Sequence, residues 1–91
     1  MTSSWAAVAE VPSRLAAALE DAGVGPDAEA ARLAAAGVGA LRTVESRSDR
    51  AAAYVLLAAD ALLTRACERA TVQSDPERAL EQVLARLVEG L

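Results

Sequence analysis

The chain has 91 residues, 54% of them hydrophobic and 24% charged, and a formal net charge of −4. That length predicts one domain spanning 1–91, and the acidic balance is opposed to the basic face that nucleic-acid binding requires. Histidine is absent, which removes the commonest general base and the commonest metal ligand, so the expectation is a non-enzymatic protein without cofactor or metal.

The first predicted element follows Pro12, where Leu15, Ala16, Leu19 and Ala22 lie on one side of a helix over 13–22. Gly23 stands where a left-handed helix cap belongs. Trp5 and Val8 continue the same stripe backwards, and Pro12 separates them as a short N-terminal helix over 4–10. Trp5 is read as a plug for the end of the bundle. A second helix is expected over 27–44, opened by Pro26 and Asp27 in favoured first-turn positions. Its stripe of Ala30, Leu33, Ala34, Val38, Leu41 and Val44 runs through Gly37 and Gly39. Two interior glycines cost about 1 kcal/mol each against alanine, which is tolerable where a neighbouring helix packs too closely for a side chain. Ala31, Ala35 and Gly39, spaced by four, extend that reading into a smooth ridge at a close crossing.

Ser46, Arg47, Ser48 and Asp49 offer several caps for the longest helix, expected over 49–72. At about 100° per residue, Ala52, Val55, Leu56, Ala59, Leu62, Leu63, Ala66 and Ala70 share a broad face with Leu63 near its centre. Leu57 lies about 140° away from that centre, with Tyr54 and Ala61 one turn to either side. A helix that is apolar on two sides is covered twice, once by its own chain and once by a partner. The last helix is expected over 75–89, with Ser74 and Glu77 at capping-box spacing. Ala79, Leu80, Val83, Leu84, Leu87, Val88 and Leu91 should face inward. The fold class that results is all-α, a small three- to four-helix bundle with antiparallel neighbours.

Candidates for chemistry are few. Asp60 is an acid within the most apolar helix and reads as a residue at the solvent boundary. Cys67, the one cysteine, reads as a small buried side chain; it excludes an internal disulfide and is consistent with the cytoplasm. Arg42, Arg47 and Arg50, with Ser46 and Ser48, could together contact an anion or a partner's carboxylate. The opening MTSSWAAVAEVP lacks the basic and apolar blocks of a signal peptide, and the charges of the long helix are too frequent for a membrane span.

Val55–Leu91 is locally similar to a helix pair of the all-α isoprenyl diphosphate synthases, through Asp60, Ala61, Leu62 and the Leu/Ala pattern around them. The aspartate-rich motifs that hold magnesium and diphosphate in that family have no counterpart here. The resemblance therefore implies a helix pair and carries no activity. The functional expectation is a protein–protein interaction module that pairs with itself as a homodimer through Leu57, Tyr54 and Ala61. The alternatives are an accessory or regulatory subunit of a larger catalytic protein and, third, a ligand-carrying bundle.

Overall fold

The computed structural model describes residues 4–8, 11–44 and 49–90, and among these every regular element is helical. A 3-10 turn at Trp5–Ala7 precedes helices α1 (Ser13–Asp21), α2 (Ala30–Val44), α3 (Arg50–Thr71) and α4 (Pro76–Gly90). Among the described residues the bundle has four helices, within the three to four that the periodicity predicts, with boundaries that local chemistry explains.

Pro12 is extended (φ −60°, ψ 149°), so the N-terminal turn is separate from α1 and not its kinked continuation. The turn is tied down by side chains. Glu20 Oε1 accepts from Ser4 Oγ at 2.8 Å and from the Trp5 amide at 2.9 Å, while the Trp5 indole N–H donates to the Val24 carbonyl at 2.7 Å. Trp5 is 3% exposed within the core cluster, as a plug should be. Helix α1 ends at Gly23, whose φ of +80° is a conformation that an L side chain adopts only under strain.

Helix α2 starts at Ala30, three residues later than Pro26 and Asp27 suggest. The physical reason is capture of the two carbonyls that an earlier start would use. The Pro26 carbonyl accepts from Arg65 Nε at 3.0 Å, and the Asp27 carbonyl from an Arg69 guanidinium nitrogen at 3.4 Å. Arg65 also approaches the Asp27 carboxylate at 3.9 Å. A turn closed by Ala28 N–H to the Gly25 carbonyl takes the place of the missing helical residues. Of the caps available for α3, Asp49 acts: its Oδ1 accepts from the Ala52 amide at 2.8 Å. For α4 the cap is Asp75, which accepts from the Arg78 amide at 3.2 Å. Pro76 takes the first helical position, which moves the cap one residue beyond Ser74 and leaves the expected Ser74–Glu77 box unformed.

Helices α2 and α3 form the central antiparallel pair. Leu33 and Leu62 are fully buried between alanines, among them Ala34, Ala59, Ala66 and Ala70. The axes close up at Gly37. A Cβ there would stand 2.8 Å from Leu63 Cγ and Cδ2 and 3.3 Å from the Ala59 carbonyl oxygen. Leu63 thus fills the space over Gly37 and is itself half-buried, nearer the edge of the interior than its place on the helical wheel implies. Gly39 behaves otherwise: it is exposed, and a Cβ would meet nothing within 4 Å. The close crossing is centred on Gly37 alone, and the proposed ridge of Ala31, Ala35 and Gly39 runs toward solvent at Ala35 and Gly39.

The flanking helices occupy different places. Helix α4 packs on both α2 and α3, with Gly90 lying against Val38. Helix α1 packs on α3 and does not contact α2. It runs in the same direction as α3: Arg14 near its start reaches Tyr54, and Pro26 beyond its end meets Arg65. The connections alone suggest antiparallel neighbours everywhere, but α1 skips over α2, the helix that follows it. Helix α4 buries only Ala79 and Val83. Leu84 and Val88, expected inward, are 58% and 70% exposed, because they lie about 100° and 140° around the helix from Val83. Leu56, expected on the buried face of α3, is 51% exposed for the same geometric reason.

The two glycines of α2 should respond oppositely to one substitution. Gly39→Ala should stabilise by about 1 kcal/mol, raising Tm by roughly 4–8 °C. Gly37→Ala should destabilise by about 1–3 kcal/mol, since Leu63 must leave its rotamer to admit the methyl group. Thermal melts of the two variants check the crossing; equal shifts would contradict it.

Candidate functional site

Two surfaces meet at the N-terminal half of α3, and both arise from the helix having more apolar sides than its own chain covers. The first is the outward stripe. Leu57 is 52% exposed at its centre, with exposed Ala53, Thr64 and Glu68 along the same side. Tyr54 and Ala61, expected beside it, are both half-buried: Tyr54 lies beneath the Arg14 guanidinium, 5.9 Å from the ring centroid, and Ala61 packs against the core cluster. Leu57 is therefore the member of the three that stands in solvent, while Tyr54 and Ala61 form its shoulder on the α1 side.

The second surface is a groove. Because α1 contacts α3 and not α2, an open channel of about 940 Å³ remains between α1, the second half of α2 and the start of α3. Its walls are small side chains: Ala17 and Ala18 on α1, Ala22 just past its end, and Ala36, Gly39 and Ala40 on α2. Arg14, Arg50 and Tyr54 gather at one end of it, and Asp21 lies two turns along α1 from Arg14, about 10 Å away at 1.5 Å per residue. Sequence reasoning missed Arg14 and this channel altogether. The usable signal was the spacing of Ala18 and Ala22 and of Ala36 and Ala40, pairs four residues apart on two helices that never touch.

The arginines singled out in the sequence do not assemble into one site. Arg42 lines a small surface cavity with Arg86 and Glu89, whereas Arg50 lines the α1–α3 channel. Arg47 lies outside the described residues. Asp60 is exposed, in keeping with its place at the solvent boundary. Cys67 is also exposed, contrary to the buried position expected for it. It stands about 80° around α3 from Ala59, just beyond the arc that α2 and α4 cover. Arg65 and Arg69 turn away from the thiol to the α1–α2 connection. Among the described residues no group of three His, Cys, Asp or Glu side chains converges as a metal site would require, and no helix is long and apolar enough to cross a membrane.

Comparison with known protein families, with curated proteins and with solved structures finds no match. The local likeness of Val55–Leu91 to isoprenyl diphosphate synthases thus has no family match behind it.

The placement of Cys67 is open to direct measurement. In the native protein without denaturant, Ellman's reagent should titrate one thiol per chain as fast as it does in the unfolded chain to within about an order of magnitude. Labelling that appears only on denaturation would put Cys67 back inside the bundle.

Proposed function

We propose that this protein is a non-enzymatic protein–protein interaction module, working in the cytoplasm and pairing with a second copy of itself across the outer side of α3. The observation that carries this reading is the exposure of Leu57 in the middle of the longest helix, where the largest fully buried side chains among the described residues are Leu19, Leu33, Leu62 and Pro26. A bundle this poor in large buried side chains gains from covering the leucines it leaves outside. Burial of one leucine stabilises by about 1.5–3 kcal/mol, and a two-fold axis counts each contact twice.

The residues around Leu57 suit such an axis. In an antiparallel pair centred on Leu57, Ala53 would face Ala61 of the partner subunit, so two small residues permit close approach on either side. Tyr54 would come opposite Asp60 of the partner subunit, an O–H donor against a carboxylate. Side chains lean toward the N-terminus of their own helix, which brings Arg50 toward Glu68 of the partner subunit at both ends of the contact. Among the described residues of its own chain, neither Arg50 nor Glu68 has an ion-pair partner.

A second reading, an accessory subunit of a larger protein, is favoured by Leu84 and Val88 on α4. These are exposed beside Glu77 and Glu81, and the Leu57 axis does not cover them.

Leu57→Glu tests the pairing, because it sets two carboxylates against each other across the axis while changing a side chain that the core does not use. Circular dichroism should show unchanged helicity, and sedimentation equilibrium should show a dimer in the wild type and a monomer in the variant. A folded variant that remains dimeric removes this interface. A wild type that stays monomeric at high concentration removes the homodimer and leaves the accessory reading.

A further inference from the structure

The α1–α3 channel has a polarity that the interaction reading does not use. Its length is walled by alanine, its one carboxylate lies two turns from its cationic end, and that end carries two guanidinium groups, those of Arg14 and Arg50. Tyr54, one turn after Arg50, lies beneath Arg14, and this cation–π contact holds the Arg14 guanidinium at the channel mouth. Among the described residues neither Arg14 nor Arg50 has an ion-pair partner, which leaves both guanidinium groups open to an anion. Burial of an apolar chain against alanine walls, with a planar fork of donors at one end, is the recognition chemistry of an amphiphilic carboxylate. The volume of about 940 Å³ lies within the range of ligand sites. We propose that the channel between α1, α2 and α3 binds a long-chain fatty carboxylate. The head group sits between Arg14 and Arg50, and the chain lies along Ala18, Ala36 and Ala40 toward Ala22.

Leu57 does not line the channel, so binding does not require the dimer, although Arg50 and Tyr54 border both surfaces. Isothermal titration calorimetry with dodecanoate below its micelle concentration, and with dodecanol as the uncharged counterpart, tests it on the full chain. The wild type should bind dodecanoate roughly tenfold or more tightly than dodecanol, the difference expected from charge-assisted hydrogen bonds to the head group. The double variant Arg14→Gln, Arg50→Gln should bind the two ligands alike. Gly39→Leu and Ala17→Leu narrow the channel from opposite walls at positions with room for a side chain, so each should remain as helical as the wild type and at least as thermally stable, and lose both ligands. Equal binding of acid and alcohol by the wild type would overturn the head-group assignment. Unchanged binding by both channel-filling variants, or no heat with dodecanoate at all, would overturn the site and assign the channel to a partner helix or to solvent.

Discussion

The seating of Leu63 over Gly37 sets the distance between α2 and α3, and the rest of the bundle follows from that distance. A crossing without a side chain on one partner brings two helices close enough for alanine to fill the interior between them, and five of the six buried residues of α3 are alanine, namely Ala52, Ala58, Ala59, Ala66 and Ala70. Close-packed interiors admit few voids, so a narrow gap between axes selects small residues throughout. Leu33 and Leu62 are the larger aliphatic side chains buried there, and the others are kept from the seam. They remain where they can still pack partially, as Leu63, Leu80 and Leu87 do, or stand outside, as Leu56, Leu57, Leu84 and Val88 do.

The same constraint accounts for the two surfaces with functional content. The central pair leaves α1 packed on α3 and on the Trp5 turn, which is tied to Glu20 and Val24. Helix α1 is thereby held away from α2, and the channel opens between them. On the far side of α3 Leu57 is left 52% exposed. Arg65 and Arg69 contribute by fixing the α1–α2 connection with tertiary hydrogen bonds, which determines where α2 begins and how far α1 leans from it. A helix that organises its neighbours with arginines on one side and offers a leucine on the other is built to be shared between an interior and an interface.

Helix type, number and most boundaries were legible in the sequence, because the Leu/Ala period, Pro12, Gly23, Asp49 and Pro76 act locally. The start of α2 was not, since Pro26 and Asp27 obey first-turn preferences until Arg65 and Arg69, some 40 residues away, take their carbonyls. The two glycines of α2 illustrate the same limit. Gly37 and Gly39 are equivalent in propensity, and only the position of α3 separates the one that must lack a side chain from the one that need not. Among the candidate site residues, the outward direction of Leu57 followed from the helical wheel. The half-burial of Tyr54 depends on Arg14 of α1, and the exposure of Cys67 depends on how far α4 wraps around α3. Period reports which side of a helix is apolar, and only tertiary packing reports how much of that side is covered.

The most direct test of the claim that the alanine interior leaves α3 to be covered by a second copy is an isotope-filtered NOE experiment. Labelled and unlabelled chains are mixed, so that only contacts between subunits give signal. The account predicts intersubunit NOEs from the Leu57 methyl groups to Leu57 and Tyr54 of the partner subunit, together with an Ala53–Ala61 contact across the axis. Intersubunit NOEs confined to Leu84 and Val88, or none at concentrations where the protein is dimeric by sedimentation, would contradict it.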